Sequence, residues 1–294
     1  MQQKEATEKY TQEVLLYFSF DFLKTWEEEI KQLNNKKNGK RFEYPNSLIE
    51  FCGKTKFIFG IGWRQVKGIL CALKNWIPIP KIPSKSQINN RFNLLDFDME
   101  DTLVINNSQN IAIDSSGLKL RFSGQWVRDK HREKKPYLKI HVAVNTKTKQ
   151  AVAMELTDDG IADISCARKL ILKSEKISKI KKSFMDGAYD KIKLWTWCEN
   201  KNIDPRIRLR KNAKPQGFSE RSKQAKRMKK IGMENWKKER GMGERVHVEG
   251  FYSVFKRRFG EFFWARKIKN IIQEIKFKIR LCNQLILNCF LSEL

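Results

Sequence analysis

The run YLKIHVAVN (137–145) sets the tightest limit on what this chain can fold into. Leu138, Ile140, Val142 and Val144 recur at every second position, the period of a strand with one buried face. IAID, ending at Asp114, has the apolar character of a buried strand, and QAVAMELT (150–157) follows YLKIHVAVN at hairpin distance. Three strands in this order predict an antiparallel meander. The pattern then changes to a helix over 163–173, which Asp163 can cap, and a short apolar strand in KSFMDGAYD (182–190). A helix over 191–200, a strand over 204–211, and helices over 245–258 and 268–290 complete the series.

The order βββ-α-β-α-β-α predicts an α/β fold of the RNase H-like kind, a mixed sheet flanked by helices. Before Asn110 the pattern is helical. Val14, Leu15, Phe18, Phe22 and Trp26 are spaced for a helix over 11–33, and a second helical pattern covers 58–75. NNKKNGKRF (34–42) reads as a loop, and the prolines of PIPKIP (78–83) stop any helix. Ser84 or Ser86 can cap a further short helix reaching 92–95. An all-helical region over 1–105 therefore precedes the sheet domain over 106–294. Residues 212–243 are rich in Lys and Gly and poor in apolar side chains, and predict a mobile basic loop.

Charge narrows the partner. The chain carries 60 Lys and Arg against 33 Asp and Glu, a net of +27, yet is 40% apolar with 19 Phe and 8 Trp. This is a folded domain with a polyanionic partner, of which nucleic acid is the usual one. Residues 206–280 hold 24 Lys and Arg and 7 Asp and Glu, a net of +17, as phosphate neutralisation would require. Six cysteines without a C-x2-C pair predict neither a zinc knuckle nor a disulfide framework. The start, MQQKEATEKY, lacks a signal-peptide apolar region, and no uncharged apolar run is long enough for a bilayer. The expectation is a soluble cytoplasmic protein with no membrane partner.

Against this basic background three acids stand out. Asp114 closes the first strand, Asp186 closes the fourth where Gly187 permits an immediate turn, and Glu249 lies in RVHVEGFYSVFKRR. The apolar stripe Val248, Phe251, Tyr252, Phe255 and Phe259 draws that helix onto the sheet, with Glu249 at its border. Converging carboxylates repel unless hard cations neutralise them, and Mg²⁺ or Mn²⁺ prefer such oxygen ligands. Two ions can then drive phosphodiester displacement. Taken singly, each acid has a plainer reading: a turn residue for either Asp, and a solvated charge or partner of Arg245 for Glu249. Asp190 is the alternative to Asp186, but falls beyond the turn.

The chain resembles the DDE transposases of bacterial and archaeal insertion sequences, in the branch with a Y-x2-R-x3-E-x6-K signature. Arg245, Glu249 and Lys256 match R-x3-E-x6-K, while the tyrosine position is Met242; Tyr252 lies on the same helix. IAIDSSG, YLKIHVAVN and FMDGAYD resemble the blocks around the family's first two acids. Separations of 72 residues between the aspartates and 63 to Glu249 leave no room for a large inserted β-domain. The resemblance implies Asp114, Asp186 and Glu249 as catalytic metal ligands for two ions, with Asp114 bridging both. It also implies double-stranded DNA as substrate, both terminal inverted repeats and target, and a homodimer or larger assembly in the synaptic complex. Arg245, Lys256, Arg257 and Arg258 are expected to contact DNA phosphates. Lys85 and Arg91, in the helix after PIPKIP, are suited to reading base edges at the element's ends; the alternative is a plain packing helix with polar exposure.

Two alternatives stand beside the transposase: an RNase H-like nuclease without strand transfer, and an inactive transposase-derived DNA-binding protein. His141 reads as structural or phosphate-contacting, and His131 and His247 carry no ligand spacing. Trp126 reads as a core or surface tryptophan, with stacking on an unpaired base as the alternative. Trp195 and Trp197 read as packing.

Overall fold

The computed structural model describes residues 18–120, 137–158, 160–215 and 217–291. Val14, Leu15, Trp126 and His131 lie outside the described residues. The chain divides into two compact units between Phe97 and Asp98.

The first unit is helical: α1 (Trp26–Asn34), α2 (Asn46–Phe59), α3 (Trp63–Leu73) and α4 (Lys85–Phe92). The single helix expected over 58–75 is instead the end of α2 and all of α3. They part at Gly60, whose φ of +63° is the left-handed conformation that terminates helices and favours glycine. Most of α2 gave no amphipathic signal because it is buried around much of its circumference, at Leu48, Ile49, Phe51, Cys52, Thr55 and Phe57. At α4 the cap is Ser84. Its Oγ accepts from the Gln87 N–H (3.2 Å), and Gln87 Oε1 accepts from the Ser84 N–H (2.8 Å), a reciprocal capping box.

The second unit contains a mixed sheet of β1 (Ser108–Leu120), β2 (Tyr137–Asn145), β3 (Ala151–Asp158), β4 (Lys179–Met185), β5 (Asp204–Ile207) and β6 (Phe262–Phe263). The strand order is β3-β2-β1-β4-β5, with β6 also on β1. β1, β2 and β3 form the expected antiparallel meander, and β4 and β5 extend it in parallel. Helices α5 (Ile164–Glu175), α6 (Ile192–Asn200), α7 (Glu220–Ile231), α8 (Met233–Glu239), α9 (Val246–Phe259) and α10 (Ile268–Leu291) flank it. Ile111, Ile113, Ala143 and Met185 share one buried cluster with Leu170, Trp195, Met228 and Trp236 of α5 to α8. Alternation therefore turns Ala112, Asp114 and Phe184 to the other face, where α9 packs on β1 and β2.

Three sequence expectations fail here. Residues 212–243, read as a mobile loop, contain α7 and α8. Three widely spaced anchors, Ala225, Met228 and Trp236, are buried, and the Trp236 indole donates to Gln224 Oε1 (3.0 Å). Asp163 does not cap α5 with its side chain; it pairs with Lys139 (3.3 Å) instead. The strand expected over 204–211 also stops at Ile207.

Asp190 is structural. Its side chain is 1% exposed and accepts from Arg221 Nε (2.6 Å), Arg221 Nη2 (2.7 Å) and the Trp195 indole (3.2 Å). It thus ties α7 to α6 and to the turn after β4. Asp190→Ala leaves a poorly hydrated guanidinium without its acid, and is expected to destabilise the unit by about 3 kcal/mol. Urea unfolding checks this; a midpoint within error of wild type would remove the pair from the fold's energetics.

Candidate active site

Strand pairing on one edge of β1 builds the opening. β4 accompanies β1 through Ala112↔Phe184 and then ends, and β6 resumes that edge only at Lys119. Asp114 and Asp186 each lie two residues beyond the last paired positions. Equal advance along neighbouring parallel strands brings them level where the strands part, the usual place for a site in an α/β sheet.

Each acid is fixed locally. Asp114 Oδ1 accepts from the Ser115 backbone N–H (2.9 Å). Asp186 precedes a one-turn 3-10 helix, Gly187–Tyr189, and its Oδ1 accepts from the Ala188 N–H (2.8 Å). Both sequence readings of Asp186, turn residue and site residue, are therefore compatible. An added Cβ at Gly187 would make only ordinary contact, 3.5 Å from the Arg208 carbonyl oxygen.

Helix α9 brings the third acid. Its residues Val248, Phe251, Tyr252, Phe255 and Phe259 are buried, as the stripe predicts. Tyr252 pins the helix to the sheet: its hydroxyl, with one proton to share, lies 2.8 Å from the Ile140 carbonyl oxygen and 3.0 Å from that of Asp114. Burial drives its pKa well above the ordinary phenol value, so it stays a neutral donor. One turn earlier is Glu249, and one turn before that Arg245, at the end of a 3-10 turn leading into α9.

Arg245 links the acids. Its Nη1 donates to Asp114 Oδ2 (3.2 Å), and its Nη2 donates to Glu249 Oε1. Asp114 and Glu249 are thus brought together through one guanidinium, and Glu249 has the Arg245 partner of its plainer reading as well. Burial raises the Asp114 pKa; the Ser115 N–H and Arg245 oppose this, and the charges of Asp186 and Glu249 add to it. Three carboxylates and no thiol or imidazole make a donor set that fits a hard divalent cation. As the side chains stand, no three His, Cys, Asp or Glu among the described residues are gathered tightly enough to hold one.

Other candidates fall elsewhere. Lys256 pairs with Glu261 (3.4 Å), an acid that also meets Lys119 (3.5 Å) and that nothing in the local sequence marks. Arg257 and Arg258 follow on the exposed last turn of α9, with Arg257 Nε 3.4 Å from the Ser253 carbonyl oxygen. In the helical unit Lys85 is exposed, but Arg91 is half-buried, its guanidinium 3.8 Å from the Phe42 ring centre and donating to Asn46 (2.6 Å). Arg91 thus packs on Phe42 and bonds the first residue of α2 through one of its donors. His141 is fully buried on the face opposite Asp114, 2.8 Å from Thr157 Oγ1. His247 meets Lys149 (2.8 Å) and Glu244 (3.5 Å). Trp195 is buried, and Trp197 is partly so with Arg168 over its ring.

No helix among the described residues is long and apolar enough to cross a membrane. A family model described as the transposase DDE domain matches residues 106–282, the span of the sheet, the three acids and most of α10. A second model of the same description matches residues 10–123. With its fold, its acids and well over half its length inside that match, the chain belongs to the DDE transposases, a family that cuts and rejoins DNA and generally uses divalent metal ions.

Proposed function

We propose that this protein is an insertion-sequence transposase that cleaves DNA at the element's ends and joins the freed 3′-hydroxyl to target DNA. The observation that carries the reading is the placement of the acids: Asp114, midway along β1 where β4 leaves its edge, Asp186 just beyond the end of β4, and Glu249 linked to Asp114 through Arg245. Asp114, Asp186 and Glu249 would hold the cations. When bound, two Mg²⁺ or Mn²⁺ ions supply activation of the attacking oxygen and stabilisation of the leaving one. Tyr252 keeps α9 against β1 so that the three carboxylates stay in reach of one phosphate. Arg245 and Lys256 hold phosphates on either side of the scissile position. The N-terminal unit reads the element's ends, with Lys85, Ser86 and Asn90 on the exposed side of α4. Two ends brought together require at least two copies of the chain.

Strand transfer separates this reading from a simple nuclease, which need not retain its product. Pre-cleaved duplexes carrying the DNA that flanks the coding region, given Mg²⁺ and a supercoiled plasmid, are expected to yield covalently joined products. Lys256→Ala removes a charge-assisted contact of about 1.5–3 kcal/mol and should slow joining roughly tenfold or more. Lys229→Ala, on the exposed side of α7, should change it far less. Protein that hydrolyses the ends but never joins them would be a nuclease, and protein that binds but never cuts would be an inactive derivative.

A further inference from the structure

Both carboxylate oxygens of Asp114 are engaged within the chain, Oδ1 by the Ser115 N–H (2.9 Å) and Oδ2 by Arg245 Nη1 (3.2 Å). The second terminal nitrogen of the same guanidinium donates to Glu249 Oε1. One rigid planar fork therefore spans two of the three acids. A dication approaching these oxygens meets the guanidinium's positive charge at hydrogen-bonding distance from them. The Arg245 side chain is nevertheless 22% exposed, open enough to reach an arriving anion. A phosphate diester offers the fork another bidentate acceptor of the kind it prefers.

We infer that Arg245 is a positioning residue that couples DNA docking to cation loading. In the free protein it is the internal counter-charge of Asp114 and Glu249. A DNA phosphate beside α9 draws the guanidinium away, and the released oxygens become cation ligands. This rests on the reading of Asp114 and Glu249 as cation ligands given above. Linkage makes the coupling reciprocal: cation loading strengthens DNA binding by the same factor by which DNA strengthens cation binding. The site is thereby kept from loading a reactive cation before a substrate is in place.

Mn²⁺ binding to the full-length protein, read from the loss of the free-ion paramagnetic resonance signal, tests this without turnover. In the absence of DNA, Arg245→Ala is expected to tighten Mn²⁺ binding roughly tenfold, within the ~5–150-fold range usual for coupled sites. Arg245→Lys, which keeps the charge but loses the fork, should fall between. A saturating duplex should tighten Mn²⁺ binding to the wild type, after subtraction of ions held by the duplex alone, and should leave Arg245→Ala unchanged. If Arg245→Ala, folded by circular dichroism, binds Mn²⁺ no tighter than wild type, the inference is overturned; should that variant fail to fold, Arg245→Lys decides by the same comparison. Asp114→Asn separates the two levels. Mn²⁺ binding that survives it refutes the cation-site reading itself, whereas binding lost there but indifferent to Arg245 refutes only the coupling.

Discussion

Alanine at Asp114, Asp186 or Glu249 is expected to reduce cleavage of end-bearing DNA by about a thousandfold or more while duplex binding stays within a few-fold. Residues that act as one unit lose nearly the whole effect when any one is removed. The separation of cleavage from binding follows from charge: each substitution removes a negative group from a surface that must meet phosphates. Stability supplies a second readout. Burial raises the Asp114 pKa, so the folded state disfavours its anion relative to the unfolded chain. Removing that carboxyl should leave the melting temperature unchanged or raised, with Arg245 still paired to Glu249. Asp190→Ala should do the reverse, unfolding the unit by breaking a buried pair. A cleavage loss at Asp114 accompanied by a large fall in stability would mean that Asp114 serves the fold and not the reaction.

This contrast bears on how much the residues alone disclosed. The sheet was legible because β1 carries a continuous apolar run from Ile111 to Ile113, and β2 repeats Leu138, Ile140, Val142 and Val144 at every second position. Asp114, Asp186 and α9 were legible because an acid that follows an apolar run, or borders an apolar stripe, breaks a strong local pattern, although β1 does not close at Asp114 as expected but runs on to Leu120. Helix α7 was not, because its fold depends on contacts distant in sequence: Ala225 and Met228 enter the core beside Trp236, and Arg221 reaches back to Asp190. The break inside 58–75 turned on one left-handed residue, Gly60, which a helical period alone does not locate. In the site, the position of Arg245 one turn before Glu249 predicted their pairing, but its reach to Asp114 depends on how α9 lies across β1. Arg91 makes a contact that the sequence did not mark. A basic residue on a polar helix looks free in sequence, and its stacking on Phe42 is a tertiary fact.

The same distinction between free and committed cations governs the salt dependence of DNA binding. Of the 24 Lys and Arg in residues 206–280, several are held inside the fold. Arg206 and Arg240 pair with Asp204, Arg221 with Asp190, and Lys278 with Glu274. Lys211, Lys214, Lys226, Lys229, Lys230 and Lys238 are exposed, and they lie on α7, α8 and the segment before them. If about six to ten phosphates are neutralised, affinity for duplex DNA is expected to fall by roughly 10³–10⁵ between about 50 and 200 mM salt. Fluorescence anisotropy at several salt concentrations gives the slope directly. Each exposed lysine in contact with a phosphate contributes about −0.9 to it, so the Lys229→Ala, Lys230→Ala double variant should flatten the slope by about 2. Arg221→Ala should act differently, lowering stability through Asp190 and leaving the slope of whatever remains folded unaltered. A nearly flat titration of the wild type would exclude this surface as the DNA track, because sequence reading through base edges alone releases few counterions.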